Sequence, residues 1–261
     1  VIRAVVAGAA GRMGSRILDA LREEKDFAVT GAFERSGSEH VGREASGVEI
    51  SPGIDQALAK GADVVIDFTA PAASLHHAAV CADRSVALVI GTTGFTEEQK
   101  KALRAASRFI PLLLAPNMSA GVNVLFRLVA DAARALGPAY EVEIVEMHHR
   151  MKRDAPSGTA LRLAEVAAGA LGLHAKDPFV YERHGDVGAR KGGTIGLSAV
   201  RGGDVVGEHT VHFLADGERL ELTHRATSRD NFARGAVRAA RWLAGREPGF
   251  YDMQDVLGLR T

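Results

Sequence analysis

A chain of 261 residues with 46% hydrophobic and 25% charged side chains is long enough for one large domain or two modest ones, and can build a full core. Its 32 basic and 32 acidic residues cancel, which removes the electrostatic case for general nucleic-acid or membrane-surface binding, so any basic site must be local. A single cysteine, Cys81, excludes an internal disulfide and a thiolate metal cluster, and reads as a small apolar residue inside a helix. No run approaches the roughly 18 apolar residues of a membrane span, the first residues lack a signal pattern, and a cytoplasmic location is expected by elimination.

The first half alternates short apolar runs with helical patterns. The strand-like runs are residues 2–7, 27–33, 62–68, 86–90 and 110–114. Between several of them apolar residues recur at three- and four-residue spacing, as in Ile17, Leu18 and Leu21, or around Leu103 behind the acidic start Thr96-Glu97-Glu98. Such alternation predicts a parallel sheet covered on both faces. The character changes near residue 119. A long helix over 121–136 leads to a strand over 140–147 and an Ala/Leu-rich helix after Pro156. From 194 to 226 come three strand patterns, TIGLSAVR, VVGEHTVHFLA and RLELTHRA, joined by Gly202-Gly203-Asp204 and Asp216-Gly217-Glu218. Both joints read as hairpin turns, which predicts an antiparallel meander. A last helix over 231–244 carries Trp242 on its apolar face.

The strand over 2–7 runs into Gly8-Ala9-Ala10-Gly11-Arg12-Met13-Gly14 and then into a helix. Glycines let the backbone turn tightly and approach a pyrophosphate, which a helix N-terminus attracts. The spacing G-x-x-G-x-x-G is not the commonest one, and a plain tight turn would look similar. Its context is better: Glu34 stands at the end of the second strand, where a carboxylate can accept hydrogen bonds from an adenosine ribose. Arg35 beside it could hold the 2′-phosphate of NADP, so the pair points to use of both NADH and NADPH. Two later loops, Gly91-Thr92-Thr93-Gly94 and Ala115-Pro116-Asn117-Met118, follow strands and read together as the wall of a cofactor crevice.

The densest chemistry is the stretch EMHHRMKRDAPSGT over 146–159. It holds His148, His149, Arg150, Lys152 and Arg153, and Ser157 is a plausible helix N-cap. Cations beside a helix start suit a substrate with two carboxylates, and a histidine there can exchange a proton near neutral pH. The rivals are a solvated basic loop and a metal site. No metal is expected, because adjacent histidines in an extended chain point to opposite faces and no thiolate or carboxylate partner is seen at a ligand spacing. His40, His76, His77, His174, His184, His209, His212 and His224 are scattered and read as surface or satisfied core histidines.

Together the stretches AGAAGRMG, VVIDFTAP, GTTGF, APNMSAGVNV, EIVEMHHRMKRDAPSGTAL, GEHTV and ATSRDNFARGAVRAARWL resemble the dihydrodipicolinate reductase (4-hydroxy-tetrahydrodipicolinate reductase) family of the lysine and diaminopimelate pathway. They cover nearly the whole chain, and the block around HHRMKRDAPSGTA is the most specific of them. The resemblance implies an α/β fold: a Rossmann-type parallel-sheet domain from 1–118 and 230–261, with an inserted α+β domain over 119–229. That second domain would have an open, mostly antiparallel sheet and serve substrate binding and oligomerisation as a homotetramer, with 194–226 as the candidate interface.

It also implies roles. Gly8, Ala9, Ala10, Gly11, Arg12, Met13, Glu34, Arg35, Gly91, Thr92, Thr93, Ala115, Pro116, Asn117 and Met118 would hold NADH or NADPH. His148 would be the proton donor, Lys152 its cationic partner, and His149, Gly158 and Thr159 would bind carboxylate of a small cyclic dicarboxylate. Some members carry a histidine where this chain has Met151, which cannot donate a hydrogen bond and is left out of the site. Substrate and cofactor held on different domains would meet by hinge closure, with hinges near 117–123 and 228–232. Two readings of other kinds stay open: another Rossmann oxidoreductase of amino-acid metabolism, such as an aspartate or homoserine dehydrogenase, and a non-catalytic nucleotide-sensing module.

Overall fold

The apolar run Ile2–Ala7 forms the first strand, β1, and its residues feed opposite faces: Ala4 and Val6 enter one core, Val5 and Ala7 another. A strand apolar on both faces needs cover on both, and the chain supplies it. The structure is a computed structural model and describes residues 1–173 and 178–259, so His174 and residues 260–261 of the expected first domain lie outside it. After β1 come α1 (Gly14–Arg22), β2 (Phe27–Phe33), β3 (Glu44–Ala45), β4 (Val48–Ser51), α2 (Ile54–Ala57), β5 (Val64–Asp67) and α3 (Pro71–Asp83). Then follow β6 (Ala87–Ile90), α4 (Glu97–Ala106), β7 (Pro111–Leu114), α5 (Ala120–Leu136), β8 (Glu141–His148) and α6 (Gly158–Ala170). The chain ends with β9 (Phe179–Val180), β10 (Ile195–Arg201), β11 (Gly207–Ala215), β12 (Glu218–Ala226), α7 (Asp230–Leu243), β13 (Gly249–Tyr251) and α8 (Met253–Val256). By its contacts it divides into two units, Val1–Ala120 with Asp230–Thr261, and Gly121–Arg229.

The first unit is built on an 8-stranded sheet in the order β13-β7-β6-β5-β1-β2-β4-β3. Its pairs are parallel except β3 with β4. Helices α1, α7 and α8 cover one face through Ile17, Leu18, Leu21, Ala236 and Met253, and α2, α3 and α4 cover the other through Ile54, Cys81 and Leu103. Burial pushes the Cys81 thiol up, as expected of an apolar stand-in rather than a nucleophile. Neighbours β2 and β5 lie on opposite sides of β1, so the connections diverge at its carboxyl end, where an open α/β sheet leaves a ligand crevice. The short elements β3, β4, β9, β13 and α8 had no counterpart in the sequence reading; runs of two to four residues carry too little periodicity to register.

The second unit has a 5-stranded sheet, β12-β11-β8-β10-β9, with α5 and α6 packed on one face through Leu125, Val129, Leu163 and Ala167 against Val142, Ile144, Ile195 and Phe213. Its antiparallel ladders, β12/β11 and β11/β8, hold more residue pairs than the parallel ones, β8/β10 and β10/β9. The expected meander is corrected at one joint. Asp216-Gly217 is a hairpin turn, closing the Ala215–Glu218 pair with Gly217 at φ +84°. Gly202-Gly203-Asp204 is not, because β8 lies between β10 and β11. That connection wraps the end of β8 instead: the Gly202 N–H donates to His148 O at 3.0 Å and the Arg150 N–H to Gly203 O at 3.2 Å. A turn-like dipeptide specifies a reversal but not which strand becomes the neighbour. No helix among the described residues is long and apolar enough to cross a membrane.

Candidate functional site

In the first unit the glycine-rich turn is built as a bare backbone cradle. Gly8 takes φ +64°, and a Cβ there would meet Thr69 Cγ2 at 3.0 Å. A Cβ on Gly14 would strike the Gly8 carbonyl and Ala9 Cα, so only glycine lets α1 start this close to the end of β1. The Gly11 N–H closes the turn on Gly8 O at 2.9 Å, while Gly8 and Ala9 donate to Phe33 O. Met13, the residue before α1, gives the helix no side-chain cap, which leaves the helix start suited to an anion. Arg12 is exposed and Met13 half-buried.

Glu34, half-buried at the end of β2, accepts the Ala10 N–H at 3.0 Å. That bond ties the carboxylate to the turn. A cleft of about 430 Å³ opens beside it, lined by Ala10, Gly11, Glu34, Arg35, Gly37, Ser38, Glu39 and His40. The bare turn, the uncapped helix and a cleft with the Glu34 carboxylate and the Arg35 guanidinium among its lining fit the adenosine side of a dinucleotide. His40, read as a bystander in the sequence, lines this cleft.

The loops after β5 and β6 are held from below by a buried polar cluster. Asp67, the last residue of β5, has no exposure. Its Oδ1 accepts from Thr69 N at 3.0 Å and Thr69 Oγ1 at 2.6 Å, and its Oδ2 stands 2.8 Å from His77 Nδ1. Thr92 Oγ1 accepts the Thr69 N–H and bonds Ser74 Oγ, each at 2.9 Å. The Thr92 hydroxyl is therefore turned into the protein, and only its backbone can face a ligand. Met118 is likewise buried in the core, and Gly91 lies where a Cβ would fall inside the Phe68 ring. Ala115 is buried with its N–H on Ile90 O, Asn117 Oδ1 accepts the Ser119 N–H, and Thr93 and Pro116 are exposed.

In the second unit the strand β8 alternates strictly, so Val142, Ile144, Glu146 and His148 share its buried face. Glu146 and His148 are 1% and 9% exposed. His148 Nδ1 lies 2.5 Å from Glu146 Oε2, and Arg201 clasps both carboxylate oxygens at 2.7 and 2.8 Å. Glu146 Oε1 also accepts the N–H of Ser157 at 3.1 Å. Burial works against the Glu146 charge, but the bonds from His148 and Arg201 outweigh it and hold the carboxyl at about 2. Ser157 caps α6 by accepting the Ala160 N–H and bonds His209 Nε2 at 3.1 Å. The helix therefore starts at Gly158 and Thr159 beside the His148 cluster. His209 meets His148 edge-on, with ring centroids 5.1 Å apart.

Lys152 Nζ reaches both oxygens of Asp154 at 2.8 Å, which lowers the Asp154 pKa. His149 Nε2 lies 3.4 Å from Arg229 Nη2. Met151 is 76% exposed. Sequence reasoning missed Glu146, Arg201, His209 and Arg229 as neighbours of the two histidines. The signal was present in part: a glutamate two residues before a histidine on an otherwise apolar strand face needs a partner, and the histidine is the nearest. Arg201 and His209 come from other strands, and nothing local announces them. No group of three or more metal-ligating side chains occurs among the described residues.

Comparisons with known proteins bear on both units. The model of "Dihydrodipicolinate reductase, N-terminus" matches residues 2–118, and that of "Dihydrodipicolinate reductase, C-terminus" matches 121–257. A 4-hydroxy-tetrahydrodipicolinate reductase of Anaeromyxobacter dehalogenans is 57% identical, covering 99% of this chain and 98% of the relative. One from Myxococcus xanthus is 54% identical over 100% of this chain and 99% of its own. Among solved structures, the dipicolinate-bound dihydrodipicolinate reductase of Paenisporosarcina sp. TG-14 has the same fold, with TM-score 0.81, 23% identity and 98% of each chain covered.

The buried His209 gives a test of this cluster by acid. Burial, and secondarily the neighbouring His148, push its imidazole down to about 4 from 6.5. The unfolded chain therefore binds the proton first. The stability this group contributes is complete above pH about 6.5 and is lost as pH falls towards 4, to the extent of about 3 kcal/mol. Urea midpoints measured between pH 7 and pH 4 should fall steeply in the parent and less steeply in His209→Gln. Parallel curves would mean that His209 is protonated at no cost in the fold.

Proposed function

The chain belongs to the dihydrodipicolinate reductase family, and from that premise we propose how its residues divide the reaction. It reduces 4-hydroxy-tetrahydrodipicolinate to tetrahydrodipicolinate with NADH or NADPH, in lysine and diaminopimelate biosynthesis. A hydride and a proton are added across a ring double bond and water is lost overall. The nicotinamide, when bound, supplies the hydride. The residues of the chain supply orientation, charge neutralisation and the proton.

His148 is the proton donor and Lys152 its cationic partner, while His149 and the helix start at Gly158 and Thr159 take substrate carboxylate. One observation carries this reading: Glu146 accepts from both His148 Nδ1 and the Ser157 N–H, so the acid and the anion-attracting helix start are held by a single carboxylate. Lys152 is partnered by Asp154, whose side chain is 63% exposed and which a substrate carboxylate can replace. In the first unit, Gly8, Ala9, Ala10, Gly11, Arg12 and Met13 cradle the pyrophosphate, with Glu34 and Arg35 at the adenosine ribose. Gly91, Thr92 and Thr93 with Ala115, Pro116, Asn117 and Met118 border the nicotinamide, Thr92 and Met118 through their backbone.

We extend the reading to a cytoplasmic homotetramer whose interface is the outer face of the second sheet. Val145 and Met147 alternate with the buried Ile144 and Glu146, and Met147 pairs with Val200, which is 40% exposed. An apolar strip at the centre of an open sheet face favours association. Sedimentation velocity on Val200→Glu should show smaller species than the parent, and an unchanged tetramer would place the interface elsewhere.

Two kinetic tests address the site. Lys152→Ala should lower catalytic efficiency and His148→Gln should lower turnover by roughly 10²–10⁴-fold, both measured on folded protein and with little change in NADH affinity. A His148→Gln turnover within about two-fold of the parent, far short of the loss general acid catalysis implies, would end its role as the donor. Arg35→Ala should raise the KM for NADPH more than that for NADH, since only NADPH carries the 2′-phosphate. Equal effects would make Arg35 a solvated surface charge.

A further inference from the structure

We propose that Glu146 is the positioning residue of the proton donor: it fixes the His148 ring proton on Nδ1, so that Nε2 is the atom that gives the proton to substrate. This rests on the reading of His148 as the acid. Three features of the geometry support it. The first is that Glu146 can only accept. Both its oxygens already take guanidinium N–H groups from Arg201, at 2.7 and 2.8 Å, and Oε1 takes the Ser157 N–H as well. A carboxylate so surrounded by donors has no proton to offer, and the nitrogen 2.5 Å from it must be the one that carries a hydrogen.

The second feature is the clearance at Nε2. A Cβ built on Gly207, the first residue of β11, would stand 2.9 Å from Nε2. Any side chain there would press on the reacting nitrogen, and glycine leaves that side bare. The third is rigidity. Arg201 also donates to Asp154 O at 2.7 Å, so the guanidinium that clamps Glu146 grips the loop carrying Lys152 as well. The imidazole, the cation-bearing loop and the helix start are referenced to one carboxylate.

The proton balance follows. Charged His148 carries hydrogen on both nitrogens. The Nε2–H bond breaks towards the substrate carbon next to the one that receives hydride, its electron pair stays on Nε2, and a C–H bond forms. His148 is left neutral with its hydrogen still on Nδ1, bonded to a Glu146 that is ionised throughout, and solvent returns the proton. Were Nδ1 unprotonated in that neutral state, its lone pair would face the carboxylate across 2.5 Å, a repulsive contact that would turn the ring.

The test is a kinetic cycle with a spectroscopic arm. Glu146→Gln, made in the parent and in His148→Gln, should lower turnover by roughly 10²-fold in the parent, because the amide can donate to Nδ1 and favour the wrong tautomer. In His148→Gln the same change should cost less than about three-fold, since a positioning residue has nothing left to position. KM for NADH should stay within about two-fold in each folded variant. Equal losses in both backgrounds mean a merely structural carboxylate and overturn the proposal. Full turnover in His148→Gln alone overturns it differently, by removing the acid on which it rests. The second arm needs no activity and no variant that must fold. In the parent labelled with ¹⁵N-histidine, the neutral His148 ring should show the Nδ1–H tautomer, and the Nε2–H tautomer would overturn the assignment.

Discussion

A carboxylate that is 1% exposed keeps its charge only if the charge is answered from within the protein, and Glu146 is answered by a guanidinium, an imidazole and a backbone amide. Removing one partner from such a buried group costs roughly 3–5 kcal/mol, so these partners are obligatory rather than decorative. They come from β8, β10 and the start of α6, and the ladder brings them together. In the parallel β8/β10 pair Ala199 stands opposite Glu146 and Arg201 opposite His148, which lets Arg201 reach diagonally to the glutamate. A one-residue slip of β10 would turn Arg201 to the other face of the sheet. The register of the second unit and the arrangement of the groups around Glu146 are thus the same fact.

The first unit solves a related problem with a different outcome. Asp67 is fully buried at the end of β5 and is answered by Thr69, His77 and, through Thr92, the loop after β6. Its hydroxyls and its one histidine are used up in holding the backbones of two loops at the carboxyl ends of adjacent strands. In the proposed division of roles the Glu146 cluster orients the proton donor, and the Asp67 cluster orients backbone beside the cofactor. Phe33 stacked edge-on against His77, with centroids 5.0 Å apart, carries the same rigidity back to β2, from which Glu34 projects.

Glycine contributes by absence in both units. At Gly8 and Gly14 the missing Cβ lets a strand end and a helix start approach to backbone contact, which leaves N–H groups facing outward. At Gly207 it leaves room for a ring nitrogen. The first use is visible as a motif because all its glycines lie within one turn of chain. The second is invisible in sequence, since Gly207 and His148 are far apart in the chain and meet only across the β11/β8 ladder.

How much could be read in advance divides along the same line. Length bounded the number of domains, and one cysteine excluded an internal disulfide. The periods of two and of three to four placed the main strands and helices of both units, most of them within a residue or two. The glycine turn, Glu34 and the HHRMK block stood out because each is a contiguous pattern with its own chemistry. Local sequence acts on neighbours in the chain, and what it specifies is local: strand or helix, turn or cap, charge or its absence. The position of β8 between β10 and β11, the clasp of Arg201 on Glu146, the stacking of His209 on His148 and the inward turn of the Thr92 hydroxyl were decided only by tertiary structure. Each depends on which distant segments share a ladder or a core, and on the need of buried polar groups to find partners wherever the fold brings them.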